Sequence, residues 1–163
     1  MEKPLRRPSF EGPTDTLVTL RMTLTQILVV DDYLPWQAFL FEIFERETDL
    51  KIIAVAVDGF EAVRKAKELQ PDLILMDASL PGMNGFEATR VIRTTSPRVK
   101  ILFLSEHRGV DVIRSAFDAG SSGYVLKMDS NTDLILGVRT VLVGKQFVSR
   151  SLTEWGQGQS PMG

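Results

Sequence analysis

From residue 25 onward, short apolar runs alternate with longer stretches in which apolar residues recur every three or four positions. The runs are residues 26–30 (QILVV), 51–56 (KIIAVA), 72–77 (DLILMD), 99–105 (VKILFLS) and 123–127 (GYVLK). Each is rich in β-branched or large aliphatic residues and too short for a helix, so each predicts a buried strand. The first stretch between them, residues 34–47, carries Leu34, Ala38, Phe41 and Phe44 at helical spacing, with Pro35 tolerated in its first turn. The second has Asp58 as N-cap and Glu61 three residues on, continues through Ala62, Val63, Ala66 and Leu69, and is ended by Pro71. After the turn cluster Pro81-Gly-Met-Asn-Gly85, a helix is predicted over residues 85–94. Val110, Ile113, Ala116 and Phe117 mark a fourth helix capped by Gly120, and residues 133–143 a fifth, closed by Gly144.

Five strand–helix units in about 120 residues, with strands apolar on both faces, imply a parallel sheet covered by helices on both sides. Right-handed crossovers make this a doubly wound α/β domain, whose working site lies at the carboxyl ends of the strands. The flanks differ. Residues 1–24 contain Pro4, Pro8 and Pro13, few large apolar residues before Leu17 and no period, and read as a disordered extension. The domain is expected over residues 25–148. Residues 149–163 are expected to be a flexible tail, too short for a second domain, after a brief docking segment at Phe147-Val148.

Composition narrows the chemistry. The 163 residues hold 19 Lys+Arg against 21 Asp+Glu, a net charge of -2, which argues against an electrostatic grip on nucleic acid. With no cysteine and one histidine, His107, thiolate or multi-histidine metal sites and cysteine nucleophiles are excluded. No apolar run approaches the roughly 20 residues of a membrane span. The basic start lacks the apolar stretch of a secretory signal, so a cytoplasmic location is expected.

The strand ends carry the candidate chemistry: Asp31-Asp32 after the first strand, Asp77 after the third, Ser105 after the fourth and Lys127 after the fifth. Singly, each has an ordinary explanation. An Asp after a strand is usually a cap or turn residue, a Ser a cap, a Lys a solvated charge. Together they form a constellation. Three carboxylates in one crevice repel unless a cation lies between them, and an all-oxygen donor set suits Mg²⁺. Lysine and hydroxyl add a charge and a donor for an anion. Metal, anion cradle and carboxylate nucleophile specify phosphoryl transfer onto an aspartate.

At these residues the sequence resembles the receiver domains of two-component response regulators. The matching stretches are ILVVDD (27–32), DLILMDASLPGMNG (72–85) and AGSSGYVLK (119–127). The ending GKQFVS (144–149) is similar to the branch that carries a LuxR-type DNA-binding helix-turn-helix; no such module is read in this sequence. The resemblance implies a flavodoxin-like (βα)5 fold with a five-stranded parallel sheet of order 2-1-3-4-5. It implies Asp77 as phosphoacceptor. Mg²⁺ would be held by Asp32 directly, by Asp31 through water or by orienting the site, by Asp77, and by the backbone carbonyl of Ser79. Lys127 would pair with the phosphoryl group, Ser105 would hydrogen-bond it, and Tyr124 would be an aromatic switch that turns inward when Ser105 moves. Pro81 and Gly85 would shape the loop after Asp77, and Ser79 and His107 would modulate phosphoryl lifetime, although His107 taken alone reads as an ordinary exposed loop histidine. The implied partners are a sensor histidine kinase or histidine phosphotransfer protein, and for output a downstream protein or a second copy of the chain. Beyond Mg²⁺-assisted self-phosphorylation and slow loss of the group, no enzymatic activity is implied. One position departs from the common pattern: Met128 follows Lys127 where many receivers have proline, which makes a cis bond there unfavourable by about 2.5–4 kcal/mol.

Three other readings fit less well. A haloacid-dehalogenase-type phosphatase also uses an Asp nucleophile with Mg²⁺, but needs a second Asp where this chain has Ser79. A flavodoxin-like cofactor binder wants a Gly- or Ser/Thr-rich loop after the first strand, where Asp31-Asp32 would repel phosphate. A DNA-binding regulator finds no helix-turn-helix pattern in residues 145–163.

Overall fold

The computed structural model describes residues 24–153. Six strands, β1 (Thr25–Val30), β2 (Leu50–Ala56), β3 (Leu73–Asp77), β4 (Lys100–Ser105), β5 (Gly123–Leu126) and β6 (Phe147–Val148), form one sheet of order β2-β1-β3-β4-β5-β6 with every pairing parallel. Five helices connect them: α1 (Leu34–Glu45), α2 (Gly59–Leu69), α3 (Gly85–Thr95), α4 (Val110–Ala119) and α5 (Ser130–Leu142). The doubly wound α/β prediction and the order of its five strands hold. The sheet has one strand more than expected, because the docking segment expected at residues 147–148 pairs with the outer edge of β5 as a strand.

Two apolar layers sandwich the sheet. Alternate strand residues Ile27, Val29, Leu73, Leu75, Leu102, Leu104 and Val125 face α1 and α5, where Leu40, Phe44, Leu134 and Val138 meet them. Their neighbours Leu28, Val30, Ile74, Met76, Ile101, Phe103 and Tyr124 face α2, α3 and α4 through Ala62, Ala66, Ala88, Ile92 and Ala116. All five residues of β3 are buried, as the central strand of a two-sided sheet must be. No helix among the described residues is long and apolar enough to cross a membrane.

Local signals account for several element ends. Asp58 caps α2 by accepting from the Glu61 amide at 2.7 Å. Glu61 returns to the Val57 amide at 3.2 Å, one residue before the position a capping box uses. Gly120 ends α4 with φ 109°, a left-handed conformation that suits glycine.

Three expectations need correction. The buried face of α1 is Leu40 and Phe44; Leu34 is 71% and Phe41 41% exposed. Apolar residues surround this helix, so spacing alone does not select the face that meets the sheet. β5 stops at Leu126, and Lys127 opens a 3₁₀ turn, Lys127–Asp129, that runs into α5 at Ser130, three residues before the predicted start. The packed domain also extends past 148: residues 150–153 begin a helical turn, with Ser149 and Leu152 buried. The expected extension over residues 1–24 lies, except for exposed Leu24, outside the described residues, as does the rest of the expected tail, residues 154–163.

Candidate functional site

The parallel sheet delivers Asp31, Asp32, Asp77, Ser105 and Lys127 to one edge of the domain. With Tyr33, Ser79, Glu106 and His107 they line a cleft of about 220 Å³. One carboxylate oxygen from each of Asp31, Asp32 and Asp77 lies within 4.8 Å of the other two. All are hard oxygen donors, as Mg²⁺ requires, and the site's histidine is engaged elsewhere.

Burial separates the three acids. Asp31 is 2% exposed and fixed at both oxygens: Oδ1 accepts from the Tyr33 amide at 2.9 Å and Oδ2 from Lys127 Nζ at 2.7 Å. Asp32 is exposed at the mouth. Asp77 is buried at the end of β3, its Oδ1 accepting from the Ser79 amide at 3.3 Å, with Lys127 Nζ 3.7 Å from Oδ2. That burial raises the Asp77 carboxyl from 3.8 to about 6; Lys127 pulls the other way, while the Asp31 and Asp32 charges push it further up. A carboxylate held this way is short of positive charge, and a divalent cation would supply it.

Lys127 also sits 5.0 Å above the Trp36 ring, which anchors its stem beside the cleft. Ser105 is fully buried, and its Oγ accepts from the His107 amide at 3.1 Å. His107 Nε2 lies 3.0 Å from Ser79 Oγ, so the two residues flanking the mouth are joined side chain to side chain. Tyr124 is inward in this structure. Its ring already lies inside, fully buried and stacked at 6.4 Å on Phe103, and its hydroxyl donates to the His107 carbonyl at 2.7 Å.

The loop after Asp77 is shaped by close approaches. A Cβ on Gly85 would lie 2.1 Å from the Asp77 carbonyl oxygen. Asn84 and Glu87 then form a full capping box at the start of α3, with bonds of 2.9 and 3.3 Å. Gly85→Ala is expected to destabilise the protein by more than about 2 kcal/mol, since the clash is with backbone and cannot be relieved by a rotamer change. Urea unfolding checks this, and a midpoint equal to wild type would refute it.

Of the residues read from the sequence, Asp31, Asp32, Asp77, Ser79, Ser105, His107 and Lys127 line this cleft, whereas Tyr124 lies behind it against the His107 carbonyl, and Pro81 and Gly85 are not among its lining. The sequence reading missed Tyr33 and Glu106, which line it, and Gln37, whose side chain donates to the Asp31 carbonyl at 2.7 Å. Tyr33 and Glu106 directly follow named site residues and could have been inferred from that adjacency; Gln37 carries no such signal.

With the geometry described, comparisons with known proteins become informative. The response regulator receiver domain family matches residues 27–139. The transcriptional regulatory protein LnrK of Bacillus subtilis is 35% identical over 137 residues, covering 81% of this chain and 62% of LnrK. The oxygen regulatory protein NreC of Staphylococcus aureus is 34% identical over 129 residues, covering 78% of this chain and 59% of NreC. This chain thus spans about 60% of the length of these relatives. Among solved structures, a LuxR-family two-component response regulator from Aurantimonas sp. SI85-9A1 superposes with a TM-score of 0.77 at 34% identity, over 80% of this chain and 94% of that one. The response regulator domain of Thermotoga maritima CheB gives 0.69 at 28% identity, over 74% and 97%.

Proposed function

We propose that this chain, which belongs to the response regulator receiver domain family in its LuxR-type branch, accepts a phosphoryl group on Asp77 from a histidine kinase or phosphotransfer protein and thereby switches an interaction surface. The observation that carries the proposal is the buried Asp77 carboxylate, gathered with Asp31 and Asp32 within 4.8 Å and facing Lys127 at 3.7 Å.

Each residue then has a task. An Asp77 oxygen attacks phosphorus and forms a new P–O bond, giving a mixed anhydride. The bond from phosphorus to the donor breaks, and the donor leaves with that electron pair and takes up a proton. Asp31, Asp32, Asp77 and the Ser79 carbonyl would hold Mg²⁺, which supplies charge neutralisation for the phosphoryl oxygens. Lys127 offers its ammonium to the same oxygens, and the Ser105 hydroxyl, buried beside them, offers a hydrogen bond. The orienting role expected of Asp31 is supported by its two fixed oxygens. Ser79 and His107 both line the cleft and are joined side chain to side chain, which supports their role in phosphoryl lifetime.

Incubation with acetyl phosphate and Mg²⁺, followed by intact-mass measurement, tests the assignment. One phosphoryl adduct is expected on the wild type and none on Asp77→Asn; an adduct that persists in the variant overturns it.

A further inference from the structure

At the end of the sheet opposite the cleft, a groove of about 350 Å³ lies between the C-terminal half of α1 and the start of β2. It is lined by buried Phe44, Leu50 and Ile52, and by Phe41 and Leu24, which are 41% and 38% exposed. β2 is the outermost strand, with no described strand beyond it. The groove thus leaves an aromatic ring and a leucine partly in water, where a covering apolar side chain would remove that surface favourably.

We propose that residues 17–22 of this chain fill the groove. Leu24, the first described residue, itself lines it, so the preceding chain departs from the groove. The residues before Leu24 are the apolar part of the extension: Leu17, Val18, Leu20 and Met22. From Thr19 to Leu24 polar and apolar residues alternate, with Leu20, Met22 and Leu24 two apart. In an extended chain such residues share a face, so Met22 and Leu20 fall on the side by which Leu24 enters the groove. At about 3.3 Å per residue, Leu20 reaches about 13 Å from Leu24, enough to pass Leu50 and Ile52. Charge agrees. Of the acids on the rim, Glu47 is taken by Arg139 at 2.9 Å, whereas Glu45 makes no ion pair among the described residues. Arg21 lies on the opposite face of the segment from Leu20 and Met22 and brings a cation to Glu45. Tethering selects this occupant over a second copy. A segment joined directly to its groove acts at an effective concentration on the order of millimolar, which a separate chain does not match. The segment holds against the sheet the helix that carries Trp36 and Gln37 at its other end.

Nuclear Overhauser measurements on the full chain test this. Contacts from the methyls of Leu20 and Met22 to the Phe41 ring are expected. Methyl shifts of Leu20 and Met22 at unstructured values, with no such contacts, overturn the proposal. A sample mixing isotope-labelled and unlabelled chains separates the occupants: contacts that cross between copies put a second copy in the groove and overturn it as well. A second arm is chemical. Oxidation of methionine by peroxide follows exposure, so Met22 is expected to react on the order of tenfold more slowly than Met128, which is 68% exposed. Phe41→Asp, a charge at a position already partly in water, is expected to bring Met22 close to the Met128 rate. Leu20→Asp, which alters no described residue, is expected to do the same if the first variant does not fold. Equal rates for the two methionines in the wild type, or a Met22 still protected in a folded variant, overturn the proposal.

Discussion

Asp77→Asn is expected to be more stable than the wild-type protein at pH 7 in the absence of Mg²⁺. Burial lifts the Asp77 carboxyl from 3.8 to about 6, an unfavourable charge in the folded state worth on the order of 3 kcal/mol once ionised. The sign follows from proton counting. Between pH 3.8 and about 6 the folded protein binds more protons at Asp77 than the unfolded chain does, so stability falls as pH rises through this window and the full penalty remains above it. Asparagine keeps a neutral side chain of the same shape and can still accept from the Ser79 amide, but gives up the attraction to Lys127. A net gain of about 1–3 kcal/mol is therefore expected at pH 7, shrinking towards zero as pH falls below about 4. Thermal or urea unfolding of the two proteins from pH 3.5 to 8 checks it. A variant less stable than wild type at pH 7, or an advantage that grows on acidification, would show that the Asp77 charge is well compensated in the folded protein. Added Mg²⁺ is expected to stabilise the wild type more than the variant, since the ion supplies the missing charge to one and not the other. On the proposed function the cost has a reason: a nucleophile must be ionised and close to its partners, and the fold would hold Asp77 so at the expense of stability.

The second large effect concerns the metal. Asp32→Ala is expected to weaken Mg²⁺ binding by on the order of 100-fold, because even indirect supports of metal ligands cost 10–100-fold and Asp32 is read as a direct one. Phosphorylation from acetyl phosphate should slow in parallel. Asp31→Ala should weaken binding as well, with an additional signature. Its removal frees Lys127, which spends its closest contact, 2.7 Å, on Asp31 and stands above Trp36 at 5.0 Å. The Trp36 emission of Asp31→Ala should therefore differ from wild type before any metal is added, whereas that of Asp32→Ala should not. Mg²⁺ titrations followed by fluorescence, in a Trp155→Phe background, separate the two. An Asp32→Ala protein with wild-type affinity would place the metal site elsewhere.

The alternation of apolar runs and helical periods determined the class of fold by itself. The five runs form strands, of which β3 and β5 are buried throughout and β1 and β4 over most of their length, and a parallel sheet between helices hides strands apolar on both faces. The strand ends determined the candidate site for a related reason. In a parallel sheet every carboxyl end lies on the same edge, so Asp31, Asp32, Asp77, Ser105 and Lys127 had to converge whatever the loops did. Local chemistry also settled the caps at Asp58 and Gly120, where a side chain or a missing Cβ acts within three or four residues.

Only the tertiary structure decided the rest, and in each case the deciding contact is distant in sequence. The buried face of α1 is chosen by the sheet, because a helix with apolar residues all around carries no single stripe. Tyr124 lies inward because a carbonyl 17 residues away, at His107, accepts its hydroxyl and Phe103 takes its ring. Residues 147–148 read only as a brief docking segment and residues 149–153 as tail, because two strand residues followed by Ser-Arg-Ser-Leu have no periodicity to detect. They are held by Tyr124, Leu126, Asp129 and Asp133, up to 25 residues earlier, and by a hole for Leu152 that exists only once β5 and its apolar layer are assembled. Periodicity reports which face of an element must be hidden; it cannot report which partner hides it, and that choice is made by the surfaces that folding brings together.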